Sequence, residues 1–113
     1  MHDLITYRGF FGDGERAFTL TDPMLTELER LAGLGAGAIY ARLVNLSYSA
    51  DLLREIIRLG LIGGGTAPME AQRLCDTYAA NRPITETFPL AFEIMEARWN
   101  GTAPDAPDLE VAA

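Results

Sequence analysis

Apolar and polar residues partly alternate over positions 4–8 and again over 15–20, on either side of Phe10-Phe11-Gly12-Asp13-Gly14. A period of two marks a half-buried strand, and an Asp-Gly pair between two such runs marks a tight turn, so an antiparallel hairpin is expected. A two-stranded ribbon is marginal in water by itself. Its apolar face, bearing Ile5, Tyr7, Phe18 and Leu20, must therefore lean on helices or on another subunit.

From residue 22 the period lengthens to that of a helix. Asp22-Pro23 offers a cap and a first-turn proline for a helix that Gly33 ends, with Met24 or Leu25, Leu28 and Leu31 inward. A second helix runs to about residue 46, with Ile39, Leu43 and Leu46 on its core face and Tyr40 and Val44 beside it. Ser49 caps a third, in which Leu52, Leu53, Ile56, Ile57, Leu59 and Leu61 leave little polar surface. A fourth, over 67–80, buries Ala71, Leu74, Cys75, Tyr78 and Ala79. The fifth carries Phe88, Leu90, Ala91, Phe92, Ile94, Met95 and Trp99 and stops at Gly101. Thr85 or Thr87 is its cap, and Pro89 suits it only if it starts late. The expected fold class is mainly α: an N-terminal β-hairpin followed by a bundle of about five short helices. Residues 1–101 form one helical domain in this reading. The remainder, with Pro104, Asp105, Pro107, Asp108 and Glu110, has the composition of an acidic disordered tail over 102–113.

The most particular stretch joins the third helix to the fourth. Gly60, Gly63, Gly64 and Gly65 end the third helix in this reading, since glycine takes the left-handed conformation a helix terminus needs; with Thr66 they make a structural hinge. Thr66 is the expected N-cap of the fourth helix, Pro68 falls in its first turn, and Glu70 sits where the helix dipole favours a negative charge. The run GLIGGGTAPMEAQRLCDTYAANRPITET over 60–87, followed by an apolar helix ending Trp99-Asn100-Gly101, resembles the gene transfer agent family of small phage-type proteins. Gly12-Asp13-Gly14, Thr19-Leu20-Thr21 and Leu25-Thr26-Glu27-Leu28-Glu29 agree with it, so the resemblance spans about residues 9–101. It implies a protein encoded among the tail genes of prophage-like particles in alphaproteobacteria. Such proteins are usually classed as tail assembly chaperones and have also been described as tail tube proteins.

Charge removes several other functions. Sixteen acidic against nine basic residues give a net charge of −7, whereas nucleic acid calls for a positive patch that displaces counterions, so no nucleic acid partner is expected. All nine basic residues are arginine, which removes lysine chemistry; the bias reads as the codon composition of a GC-rich genome, or as selection for bidentate contacts. One cysteine and one histidine cannot build an internal disulfide or a structural zinc site. No metal and no cofactor are expected: Cys75 reads as a small buried hydrophobe, and His2 lies at a terminus that frays. No signal-peptide pattern opens the chain and no apolar run reaches the roughly 18–20 residues of a membrane span, so the bacterial cytoplasm is the expected location.

Candidate chemistry fails on its parts. A glycine-rich loop before a helix can cradle an anion, but Thr66-Ala67 stands where a nucleotide loop needs its lysine. Gly33-Leu-Gly-Ala-Gly37 follows a helix, where a dinucleotide fingerprint must follow a strand. The carboxylate pairs Glu27 with Glu29, Asp51 with Glu55, and Glu93 with Glu96 fall on wet helix faces, and Ser47 and Ser49 lack a histidine base. The reading is therefore not an enzyme.

What remains is apolar surface. A chain 49% hydrophobic, whose third and fifth helices carry more apolar residues than one core-facing stripe needs, is expected to offer some of it to another chain. Leu53, Ile57, Phe92, Met95 and Trp99 are the candidates for lining such a surface, with Trp99 as anchor. The expected partners are the tape measure protein, with the tail tube protein as a second candidate, and further copies of the chain. The function implied is a tail assembly chaperone; the alternatives are a structural tail tube component, or a small helical adaptor unrelated to tails.

Overall fold

The computed structural model describes residues 3–102: a 3-10 turn (Asp3–Ile5), strands β1 (Thr6–Phe11) and β2 (Gly14–Thr19), and helices α1 (Asp22–Ala32), α2 (Ala36–Val44), α3 (Ala50–Gly63), α4 (Pro68–Tyr78) and α5 (Ile84–Asn100). This is the mainly helical, hairpin-first class expected. His2 and the expected tail beyond Thr102 lie outside the described residues.

The strands pair antiparallel from Thr6↔Thr19 to Phe11↔Gly14, which leaves Gly12 and Asp13 as the loop in place of the Asp13-Gly14 pair. The reason is steric. A two-residue loop with positive φ at its first position selects glycine there, and Gly12 has φ 71° while Asp13 does not enter that region. Asp13 instead accepts a 2.8 Å hydrogen bond from Arg16. The inward face holds Phe18 and Leu20, both fully buried, with Phe11 and the half-buried Tyr7.

Helix α3 is the axis of the fold and packs against β2, α5, α1 and α4. Ser49 caps it as expected, its hydroxyl accepting from the Leu52 N–H at 3.1 Å. Leu53, Ile56, Ile57 and Leu61 are fully buried, each worth on the order of 2 kcal/mol of removed apolar surface. Gly60 does not end this helix, as the sequence suggested; it lies within it, and a Cβ there would stand 3.1 Å from the Ile94 Cγ2 and 3.3 Å from the Phe18 Cβ. Its missing side chain lets α5 and β2 close on α3. Gly63 and Gly64 complete the contact, because a Cβ on them would sit 1.8 Å from the Thr19 carbonyl oxygen and 2.0 Å from that of Ala17. Only Gly65, at φ 115°, needs glycine for its backbone conformation.

Local caps differ from the expectation at three helices. Thr66 does not cap α4: its N–H is spent on the Leu61 carbonyl at 2.9 Å, closing α3, and Ala67 takes the cap position without a side-chain bond. Thr21, not Asp22, caps α1, accepting from the Met24 N–H at 3.4 Å, while Asp22 accepts from Arg98 at 2.7 Å and ties α1 to α5. Helix α5 starts early, at Ile84, so neither Thr85 nor Thr87 caps it and Pro89 lies inside. The turn before the proline is held by tertiary contacts, with Thr87 buried and the Phe88 ring stacked on Tyr48. Two expected core positions are exposed. Helix α2 ends at Val44, which leaves Leu46 outside it, left-handed at φ 57° and 68% exposed; Leu31, at the end of α1, is 43% exposed.

Replacing Gly63 or Gly64 by alanine drives a methyl group into a strand carbonyl that cannot rotate away, and is expected to destabilise the fold by about 3 kcal/mol. Gly14→Ala, which meets nothing within 4 Å, is expected to stay near neutral in the same urea titration. Equal midpoints for all three variants would contradict this account of the contact. Pro89→Ala restores an interior helix hydrogen bond and is expected to raise stability by about 1–3 kcal/mol, read from the same midpoint.

Candidate partner-binding surface

Helical spacing puts Phe88, Phe92 and Trp99 along one side of α5, and α2 brings Tyr40 against them. The rings form a continuous row. Trp99 stacks on Tyr40 at 4.5 Å between centroids and 6° between planes; Tyr40 meets Phe92 at 6.2 Å, Phe92 meets Phe88 at 5.8 Å, and Phe88 stacks on Tyr48 at 5.0 Å. The centre of the row is pinned by a hydrogen bond. The Tyr40 hydroxyl donates to the Glu96 Oε1 at 2.7 Å, which raises the Tyr40 pKa above its ordinary value, and Glu96 also accepts from Asn100. Gly37 of α2 lies beside the indole, where a Cβ would stand 3.8 Å from its Cη2, an ordinary contact distance. The indole remains 48% exposed, and the other four rings are half-buried.

The five apolar residues expected to line a partner surface therefore divide. Phe92 and Trp99 belong to this row. Leu53, Ile57 and Met95 are 0% exposed and lie in the core of the chain. The periodicity of α3 and α5 could not separate these roles, because both helices are apolar on more than one side. Sequence reading missed the contribution of α2: Gly37, Ala38, Ala41 and Val44 are small or apolar and exposed, so this helix continues the apolar surface beside Trp99. Next to α2, a groove of about 380 Å³ runs between α1 and the start of α3, floored by Leu28, Leu31, Leu34 and Leu52 and rimmed by Arg42 and Asp51.

Of the six carboxylates paired by the sequence, all but Glu93 bond to other groups of the fold. Glu27 pairs with Arg30, Asp51 with Arg54, and Glu55 with Arg58, each at i,i+3. Glu29 accepts from the Ala36 N–H at 2.8 Å and so caps α2 from α1, a role its sequence position did not suggest. Among the described residues no group of three or more metal-ligating side chains could hold an ion, and no helix is long and apolar enough to cross a membrane.

Residues 5–101 match the sequence profile of a family described as phage tail tube protein, GTA-gp10. The chain belongs to this family. The match covers the hairpin and all five helices, so the gene transfer agent resemblance holds over the whole described fold. No curated protein and no solved structure matches the chain. The family's description names a structural tail component and no reaction.

Cys75, which the same reading left as a packing residue, lies 4% exposed, and burial pushes its thiol from an ordinary 9.0 up to about 12. Folding therefore favours the neutral thiol, and this group's contribution to stability is lost as pH rises past the unfolded value of 9.0. At pH 8 the native GTA-gp10 family chain is expected to resist a thiol reagent, with labelling following global unfolding in urea; rapid labelling without denaturant would show that α4 opens locally.

Proposed function

We propose that the chain is a non-enzymatic tail assembly chaperone that holds an apolar helical segment of the tape measure protein until the tail tube polymerises around it. The observation that carries this reading is the row of stacked rings ending in the half-exposed Trp99, beside the apolar outer side of α2. A flat aromatic and small-residue surface suits a helix laid along it by its apolar face. The chemistry is burial without catalysis: rings fixed by stacking and by the Tyr40–Glu96 bond present area at little cost in side-chain entropy. A net charge of −7 over the whole chain keeps such a complex soluble in the cytoplasm.

A structural tail tube component is the second reading, and the family's own description favours it. The two differ in where the protein ends up. A chaperone leaves as tube subunits arrive and is absent from purified particles, whereas a component persists in them at many copies.

Co-expression with the tape measure protein of the same gene cluster is expected to yield a soluble complex. Trp99→Ala should weaken that complex by about 2 kcal/mol, roughly thirtyfold in Kd, without shifting the urea midpoint by a comparable amount. Two proteins that are each soluble alone and do not associate would sink the chaperone reading.

A further inference from the structure

The two edges of the hairpin are unlike. A two-residue loop makes Phe11 and Gly14 a hydrogen-bonded pair, and alternation along the register makes Gly9 with Arg16 and Tyr7 with Phe18 the next ones. The N–H and C=O groups of Arg8 and Phe10 on β1, and of Ala17 and Thr19 on β2, therefore point out of the ladder. On β2 this edge is covered, since the Ala17 and Thr19 carbonyls are the atoms that meet Gly64 and Gly63 of α3. On β1, among the described residues, the Thr102 N–H donates to the Leu4 carbonyl just before the strand, and no backbone hydrogen bond from outside the ladder reaches Arg8 or Phe10. The side chains there are just as open: Phe10 is 73% exposed, and among the described residues Arg8 forms no ion pair while seven of the nine arginines do.

We propose that β1 pairs antiparallel with β1 of a second copy of this chain, about a two-fold axis between the two Gly9 residues. Register decides the occupant. With the axis at Gly9, Arg8 stands opposite Phe10 of the second copy and Phe10 opposite its Arg8, so each guanidinium meets a ring. Each such pair exchanges two backbone hydrogen bonds, so the two pairs make four. An axis at Arg8 would instead set the two guanidiniums against each other. Gly9 at the centre, in the close non-hydrogen-bonded position, bears no side chain of its own, and the Tyr7 ring lies over it, 2.7 Å from where a Cβ would stand. The edge is thus complementary to itself, as an isologous contact requires. It lies apart from the aromatic row, so its failure leaves the partner reading intact.

The test is sedimentation equilibrium of the full chain over a wide concentration range, with circular dichroism as a check on folding. The expected result is a reversible monomer–dimer equilibrium. Phe10→Arg sets like charges together across the axis and adds a favourable neighbour to Glu15 within the monomer; it should raise the dimer Kd at least about tenfold. Arg8→Pro removes an outward N–H that the ladder does not use and should do the same with the fold intact. Oxidising a mixture of the Arg8→Cys and Phe10→Cys variants should cross-link the two to each other, and neither to itself. A chain that stays monomeric throughout, a dimer indifferent to Phe10→Arg, or cross-links of each variant to itself would overturn the proposal.

Discussion

The fold rests on the approach of one strand to one helix. The Ala17 and Thr19 carbonyls of β2 lie where side chains on Gly64 and Gly63 would be, and Phe18, between them, packs on Gly60 one turn further back along α3. Three glycines on one side of a helix end thus form a trough as wide as a strand. Interior glycine costs a helix about 1 kcal/mol relative to alanine, and here that cost is offset by burying Phe18 and Leu20 against α3 and by covering one edge of the sheet. A hairpin that would be marginal alone becomes part of the core.

Around that contact the charged residues divide into two kinds. The i,i+3 pairs, always with the acid N-terminal to the arginine, lie on wet helix faces, and each is worth only a few tenths of a kcal/mol. Arg30, Arg58 and Arg73 each grip their partner through both Nε and an Nη nitrogen, so the absence of lysine matters locally: an ammonium could not form that fork. Glu29, Glu96 and the Asp22–Arg98 pair are different, because each joins separate elements: α1 to α2, α5 to α2, and α1 to α5. Their sequence neighbourhoods look no different from those of the local pairs, so only the fold tells them apart.

The hairpin, the helix order, the Ser49 cap and the core faces of α3 and α4 were legible because each follows from a period or from a turn residue acting locally. The failures share a cause. Thr66, Asp22, Thr85 and Thr87 are all plausible caps by type, but capping depends on where each helix starts and on what else the side chain bonds, as when the Asp22 carboxylate accepts from Arg98 and the Thr87 hydroxyl donates to the Ile84 carbonyl. Leu31 and Leu46 face inward by spacing, yet the first lies at the end of α1 on the open groove and α2 ends before it reaches the second. The glycine run is special for two reasons, of which the sequence shows one. It ends α3, which stops at Gly63 with Gly65 at φ 115°, and three of its glycines also serve close contact, a property that depends on a strand more than forty residues away in sequence. The apolar excess of α3 and α5 was visible as excess, but only the placement of α2 determines that Met95 goes inside and Trp99 stays at the surface.

That placement bears on what the surface can do. Stacked, half-buried rings could be nothing more than the margin of a core, and four of the five have that degree of burial. The indole is the exception, held flat between Tyr40 and solvent beside Gly37 of α2. A ring kept merely for packing would gain by turning inward, since burying the exposed half would contribute on the order of 1 kcal/mol or more. Instead the Tyr40–Glu96 hydrogen bond fixes the stack in an orientation that presents the indole outward, and the adjoining side of α2 bears only small residues that would not lift a partner helix away from it. Rigidity of this kind lowers the entropy lost on binding, so an aromatic anchor that is already in place can hold a partner segment that brings no matching charge.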